Sequence, residues 1–420
     1  VSIDDEFKVN EGIETLEIKR LGFSIPENVG MNSKVLTKID SIANYAISKK
    51  MTPGLQVVVA RKGKVIYQKS FGNHTYESTQ KVNNTDVYDI ASLTKIVATL
   101  PNVMQEFDQG HLTLETKLKT MLPEAKNSNK ANATVLDMLT HQARFQPWIP
   151  FYKATLDSLN RPSTHFYRSE FSDEFPVHVA DKLYLRKNYN DTIVKTILDS
   201  ELLPKKQYKY SDFTFILFKE YLELHNKKSL EDLAHANFFE PLGANSIMYN
   251  PLRKMNANRI IPTENDNYFR HQIVQGYVHD MAAAMQGGIS GHAGLFANAL
   301  DVAKVMQMFL QKGSYGGRTY ISENTFNIFN TCYFCKDGNR RGVGFDKPQL
   351  GNEGPTCGCV SLTSFGHTGF TGTMTWADPE KEIVYVFLSN RTFPDSNATN
   401  KLSKENIREN IQKVIYEAII

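Results

Sequence analysis

The chain has 420 residues, 41% of them hydrophobic, which is enough for a large core divided into two or three lobes. Its 48 Lys and Arg nearly cancel 45 Asp and Glu, and the basic residues are scattered rather than gathered into a stripe, so composition gives no support to nucleic-acid binding. No apolar run approaches the roughly 20 residues that span a bilayer, and residues 1–20 are polar and acidic instead of basic and then apolar, so neither a transmembrane segment nor an intact export signal is expected. Because the chain begins at Val1 and not at Met, it reads as a processed protein or a piece of a longer polypeptide.

Residues 1–25 have no clear periodicity and read as a linker. Val35, Leu36, Ile39, Ile42, Ala43, Ala46 and Ile47 recur at helical spacing and predict an amphipathic helix. After Pro53-Gly54, the β-rich runs 56–61 and 64–68, joined through Lys62-Gly63, predict a hairpin. Residues 93–311 are mostly helical by pattern, interrupted by polar and proline-containing loops such as 144–163. Strand signals return at 371–376 and 383–388 around the turn Asp378-Pro379-Glu380-Lys381, and a helix over about 404–419 closes the chain. Strands near both ends, with helices outside and a helical insertion between, predict one sheet assembled from the two ends and covered by the terminal helices. The expected architecture is therefore α/β (α+β), a single domain over 26–420. Residues 26–91 and 340–420 form a sandwich lobe, residues 92–339 a mainly helical lobe, and a cleft lies between them.

Three short motifs carry reactive side chains. Ser92-Leu93-Thr94-Lys95 sits where a strand-like run, 87–90, gives way to a helical run, 95–107, and its lysine follows the serine by three residues, so both side chains share one face. A hydroxyl is a poor nucleophile until a base removes its proton, and a desolvated lysine can serve as that base or lower the pKa of a neighbouring phenol. The Ser92 amide, at the positive end of the helix, can help hold an oxyanion. Tyr210-Ser211-Asp212 precedes an apolar segment, 213–221, and offers a phenol that can exchange protons with Ser92 and a carboxylate that can fix Lys95. His367-Thr368-Gly369, followed by Phe370, enters the last strands. There a glycine lets a substrate backbone lie against the strand edge, the next amide can complete an oxyanion hole, and His367 and Thr368 can donate to a substrate carboxylate. Each motif alone is common as a helix cap or a turn, and their order along the chain is what makes them informative.

In that order the sequence resembles the serine β-lactamase-like family that holds class C β-lactamases, low-molecular-mass penicillin-binding proteins, D-alanyl-D-alanine carboxypeptidases and related esterases. The resemblance runs from about Gly22 to Ile420 and includes Pro53-Gly54, the stretch from Gly287 to Phe296, Gly342-Val343-Gly344-Phe345 and the Trp376 to Pro379 hairpin. It implies a β-lactamase/transpeptidase-like fold, Ser92 as the acylated nucleophile, Lys95 and Tyr210 as the proton-transfer pair, and the amides of Ser92 and Phe370 as the oxyanion hole. Asp212, His367, Thr368 and Gly369 would line the substrate site. It also implies a cofactor-independent serine hydrolase acting on D-amino-acid peptides of peptidoglycan in the periplasm or another exported compartment, with a small peptide or β-lactam-like molecule as its partner. A β-lactamase and a carboxylesterase are the enzymatic alternatives, and a penicillin-binding-like module without turnover is the non-catalytic one. The chain is similar in particular to modules that follow a family 3 β-N-acetylglucosaminidase in some bacterial envelope proteins, which suggests such a glycosidase module upstream. Asp212 stands where many members have Asn, and His367 where β-lactamases usually have Lys. The extra carboxylate is expected to keep Lys95 protonated, and both changes argue against efficient β-lactam hydrolysis.

Other residues have weaker claims. His292, between glycines in a loop expected to border the cleft, can contact substrate or simply order that loop. Arg391, just after the last strand, can attract a carboxylate. His141 and Asp137 have helical spacing but no third metal ligand follows. The aromatic stretch 144–168, with Trp148, Phe151 and Tyr152, is a candidate roof for the cleft. Cys332, Cys335, Cys357 and Cys359 lie close together, and two disulfides in an oxidising compartment, a four-thiolate zinc site and free thiols all fit the spacing.

Overall fold

The computed structural model describes residues 20–349, 351, 354–398 and 400–420, so residues 1–19 of the expected linker lie outside the described residues. β1 (Gly22–Phe23) pairs in parallel with Lys64 and Val65. The first helical pattern gives a single turn at Ser33–Leu36 and then α1 (Lys38–Ser48), whose Ile39, Ala43 and Ala46 point inward. β2 (Gly54–Arg61) and β3 (Lys64–Gly72) form the expected hairpin. Lys62 and Gly63 both take positive φ, 50° and 69°, and so make a turn whose twist matches that of the strands.

The chain then leaves the sheet. α2 (Leu100–Asp108), α3 (Phe213–Asn226) and α4 (Ala299–Leu310) are its principal interior helices. It returns through β4 (Phe365–Thr368), β5 (Met374–Asp378) and β6 (Ile383–Ser389), and ends in α5 (Ile407–Glu417). The six strands lie in the order β1-β3-β2-β6-β5-β4, with β6 from the end of the chain pairing against β2 from its beginning. Every neighbouring pair except β1 and β3 is antiparallel.

Alternation along the strands divides the core. Val57, Val59, Tyr385, Phe387 and Trp376 face α1 and α5, meeting Ile39, Ala43, Ile411 and Ile415. Val58, Ala60, Val384, Val386 and Leu388 face the other way, toward Val302, Met306 and Phe309 of α4. Helices cover both faces, so β2 and β6 are apolar runs buried almost end to end rather than strands with one wet side.

The middle of the chain adds short strands that its sequence did not announce, and these pair among themselves or with Tyr88–Asp89, which falls inside the strand-like run 87–90. Tyr88–Asp89, Met248–Tyr249 and Leu295–Ala297 form one small sheet, Tyr167–Arg168, Val177–Ala180 and Leu183–Leu185 a second, and Glu264–Asp266 with Gln272–Val274 a third. Strands of two to four residues are too short to show a period-two pattern. The first of these sheets matters most, because it carries the chain into Ser92. Among the described residues, no helix is long and apolar enough to cross a membrane.

Candidate active site

The approach to Ser92 is tightly fixed. Ala91 takes a left-handed conformation, φ 47°, that disfavours a residue with a Cβ by about 1–2 kcal/mol. Asp89 holds it there: its buried carboxylate accepts the Ala91 amide at 2.8 Å and the His279 amide at 2.7 Å. Beyond Ser92 the expected single helix is divided into a tight turn at Ala91–Leu93, a wide π turn at Lys95–Thr99, and α2. Pro101 explains the division, since it has no amide hydrogen to give the Val97 carbonyl four residues back. Two threonines bind this loop to the end of β4: Thr371 Oγ1 donates to the Asp89 carbonyl at 2.8 Å and Thr373 Oγ1 to the Ile90 carbonyl at 3.2 Å.

The first two motifs converge on one oxygen. Lys95 Nζ donates to Ser92 Oγ at 2.8 Å, and the Tyr210 hydroxyl donates to the same oxygen at 3.1 Å. Lys95 is fully buried; its ammonium donates to Ser92 Oγ and to the His292 carbonyl, the latter at 3.0 Å, and forms an ion pair with Asp212 Oδ1 at 2.7 Å. Burial pulls the ammonium pKa down, but Asp212 and Tyr210 more than offset it and hold Lys95 above the ordinary lysine range. For Tyr210, burial pushes the phenol up; Lys95 and Arg341 pull against it, Asp212 adds to it, and the net shift is upward. At neutral pH the free site therefore holds an ammonium, a carboxylate and a neutral phenol around Ser92.

The loop bearing Tyr210 is pinned from behind. Ser211 Oγ donates to the Gln146 carbonyl at 2.6 Å, the Asp212 amide to the Pro147 carbonyl at 3.1 Å, and the Ser211 amide to His141 Nδ1 at 3.2 Å. His141 lies against the Tyr210 ring, 4.6 Å between centroids, while Asp137 pairs with Lys206 at 2.8 Å. The two residues with metal-like spacing thus face different partners.

His367, Thr368, Gly369 and Phe370 line the same open cleft of about 970 Å3 as Ser92, Tyr210, Asp212 and His292. His367 is buried, and its Nδ1 donates to the Thr368 carbonyl at 2.7 Å, which leaves the lone pair on Nε2. Burial, with the nearby charges of Arg341 and Lys95, holds its pKa well below the usual histidine range, so the ring is neutral. Nε2 is thus a buried acceptor without a hydrogen-bond partner among the described residues, where a donor to a substrate carboxylate was expected. His292 is an ordering residue: Ser290 Oγ lies 2.9 Å from its Nδ1 and Asp280 Oδ1 2.8 Å from its Nε2, while its carbonyl holds Lys95. The aromatic stretch contributes Trp148 and Tyr152 to the cleft wall.

Cationic residues that the sequence did not single out complete the wall. Arg340 pairs with Asp346 through Nε at 3.0 Å. Arg341, 3% exposed, lies over the Tyr210 ring at 5.2 Å, and among the described residues its Nη1 has no hydrogen-bond partner. Arg408 lines the cleft as well. Arg391, which the sequence did suggest, stacks over Phe370 at 4.5 Å, and burial lowers its pKa to about 10. Asp212, Asp280 and His292 bring three potential ligand atoms within 4.8 Å of one another, but the Lys95 ammonium already supplies a positive charge to Asp212. The cysteines are joined as Cys332–Cys335 and Cys357–Cys359, and Pro355, just before the second pair, borders the cleft.

Comparison with known proteins bears on the family and the fold. The family model described as Beta-lactamase matches residues 43–406. A protein of Escherichia coli K12, named as a candidate D-alanyl-D-alanine carboxypeptidase, is 26% identical over 396 residues, covering 88% of this chain and 85% of that one. An N-acetylmuramyl-L-alanine amidase of Bacillus subtilis is 27% identical over 395 residues, covering 87% and 83%. Among solved structures, EstCE1, a hydrolase with promiscuous acyltransferase activity, superposes with a TM-score of 0.66 at 17% identity, covering 91% of this chain and 99% of that one. The D-amino acid amidase of Ochrobactrum anthropi SV3 gives 0.63 at 12% identity, with the same coverage.

Proposed function

Because the chain belongs to the β-lactamase family and is a serine hydrolase of that family, we propose that Ser92 is its nucleophile and that it forms an acyl-enzyme with D-amino-acid peptides of peptidoglycan, in the manner of a D-alanyl-D-alanine carboxypeptidase. The observation that carries this reading is the meeting of an amine and a phenol on one hydroxyl, at 2.8 and 3.1 Å. Once one proton has left the Lys95 and Tyr210 pair, Ser92 Oγ attacks the substrate carbonyl while its own proton passes to that pair. The amides of Ser92 and Phe370 receive the oxyanion. On collapse of the tetrahedral intermediate the C–N bond breaks, the held proton goes to the departing amine, and a water then hydrolyses the ester. Thr368 and the guanidinium of Arg341 suit an anionic peptide end, since a buried donor without a partner gains most from a charged acceptor.

The Bacillus subtilis relative favours a second reading, an amidase that cuts where the peptide joins muramic acid. Export to the bacterial envelope is part of the proposal, supported by two disulfides, which persist in oxidising compartments. So is an upstream β-N-acetylglucosaminidase module, which rests on the family resemblance.

The test pairs labelling with a substrate panel. A fluorescent penicillin or a fluorophosphonate should label the protein and fail to label Ser92→Ala; persistent labelling of that variant, or no labelling of the parent by either reagent, would refute the nucleophile. A D-alanyl-D-alanine peptide, a muramyl peptide, a chromogenic cephalosporin and a p-nitrophenyl ester, offered to one preparation, rank the substrates. Turnover of the cephalosporin alone would overturn the peptide reading.

A further inference from the structure

α2 and α3 begin beside the cleft, just after Ser92-x-x-Lys95 and Tyr210-Ser211-Asp212, and come together again at their C-terminal ends. None of the residues at that second meeting lines the cleft. Glu106, in the last turn of α2, is 4% exposed. α2 ends at Asp108, Gly110 takes φ 76°, the Gly110 amide donates to the Phe107 carbonyl at 3.0 Å, and the His111 amide donates to the Glu106 carbonyl at 2.9 Å. This is a Schellman turn, and it folds His111 back so that its Nδ1 lies 2.9 Å from Glu106 Oε2. From α3, His225 brings Nε2 to 3.3 Å from the same oxygen and 3.2 Å from His111 Nδ1.

The rest of the cluster orients these three atoms. Asn226 Nδ2 donates to Glu106 Oε1 at 2.9 Å, leaving Oε2 to face the histidines. The Tyr221 hydroxyl donates to Oε2 at 3.3 Å, and its ring stacks on His225 at 5.5 Å, one helical turn away. The triangle of ligand atoms has edges of 2.9, 3.2 and 3.3 Å. A tetrahedral zinc ion bonded at about 2.0–2.1 Å requires edges of about 3.3 Å, so the triangle is already close to one face of that polyhedron.

We propose that Glu106 Oε2, His111 Nδ1 and His225 Nε2 bind a divalent first-row transition ion, with zinc the best match to two imidazoles, one carboxylate and a tetrahedral face. The side chains of His111 and His225 are 42% and 40% exposed, which gives the ion an entry path and leaves its fourth position to water. Asn226 and Tyr221 are the outer partners that hold the carboxylate. The ion bridges the ends of two helices whose beginnings carry the proposed catalytic groups. Ser92 and Glu106 are fourteen residues apart, about 21 Å at the helical rise, so the ion acts on the stability of the lobe and not on the reacting atoms. The inference does not depend on the reading of the active site.

Zinc chloride is titrated calorimetrically into the full chain after chelator treatment and desalting, with melting curves recorded in parallel. The expected result is a saturable site, with Tm raised by about 3–5 °C when zinc exceeds the dissociation constant a hundredfold. In His111→Ala/His225→Ala that site is lost or weakened at least about 100-fold, since even outer partners cost up to that much. The gain in Tm on adding zinc is read from each protein's own metal-free Tm, since the double variant also takes two partners from the buried Glu106 carboxylate. Should the double variant fold poorly, His111→Asn and His225→Asn singly must each weaken binding. No saturable binding to the parent, or equal zinc uptake and equal Tm gain in parent and variants, would overturn the proposal.

Discussion

Replacing Asp212 by Asn tests the electrostatics of the proposed active site most directly. Asp212 Oδ1 lies 2.7 Å from the buried Lys95 nitrogen, and its charge raises the pKa of both Lys95 and Tyr210. At an effective dielectric constant of about 20, opposite charges 4 Å apart attract by about 4 kcal/mol, equivalent to about three pKa units. The Asp212 side chain is 19% exposed and an asparagine keeps one acceptor for the ammonium, so the expected change is about 1–3 units. The free site holds no base until one proton leaves the Lys95 and Tyr210 pair, so acylation of Ser92 should rise along an alkaline limb. Asp212→Asn should move that limb to lower pH by the same 1–3 units, whichever of the two atoms is the base, because Asp212 acts on both with the same sign. The assay is the second-order rate of acylation by a p-nitrophenyl ester across about pH 6 to 10.5. A limb that stays in place, or moves to higher pH, would refute the assignment of Asp212 as the charge that holds the proton.

Gly291 and His292 are part of the same device. A methyl group on Gly291 would overlap the Phe215 carbonyl of α3, so Gly291→Ala should displace the His292 carbonyl from Lys95, reduce stability to denaturant by about 1–3 kcal/mol and slow Ser92 labelling; parent-like values for both would show that the loop does not position the lysine. His141 and His367 are held neutral, chiefly by burial, with folded pKa values well below those of the unfolded chain. Their contribution is therefore complete above about pH 6.5 and is lost as pH falls below it, by up to about 1.4 kcal/mol per pH unit for each ring. Tm should fall between about pH 6.5 and 5, and a flat profile would contradict the burial of the two neutral rings. Alkylation followed by intact-mass measurement should modify none of the four cysteines before reduction and all four after it; modification without reductant, or release of stoichiometric zinc from them, would exclude the two disulfides.

β2, β3, β5 and β6 were legible because they are long enough to show their character, and the pairing of β2 with β6 follows from strands at both ends that need one shared core. The two-residue β1, by contrast, lies inside the segment read as a linker, and β4 precedes the run 371–376. The two- to four-residue strands of the insertion were not legible, although Leu295–Ala297 pairs with Tyr88–Asp89, the legible strand that leads into Ser92. Ser92 and Lys95 could be joined from sequence by helical geometry alone, whereas Tyr210 lies 118 residues further on and was reached only through the order of the motifs. Arg341 was missed because a buried arginine reads like a solvated one until Asp346 and the aromatic rings around it are seen. The His141 and Asp137 spacing misleads for a local reason: the helix ends at Leu139, and His141, at φ 57°, turns away to Tyr210. Glu106, His111 and His225 had no signature at all, since the two histidines are 114 residues apart.

These charges bear on how the proposed proton relay is divided. Lys95 donates to Ser92 and His292 and, against burial, is held above the ordinary lysine range chiefly by the charge of Asp212, so in this state it is an ammonium with no lone pair to offer the serine proton. The phenol of Tyr210 touches the same oxygen and feels Lys95 and Arg341 pulling its pKa down against burial. A division follows in which Lys95 is mainly a fixed positive charge and Tyr210 carries the proton between Ser92 and the leaving group. Asparagine in place of Asp212 would free the lysine to lose its proton. With aspartate there the ammonium persists and the phenol becomes the better carrier, so the residue at position 212 bears directly on which atom is the base.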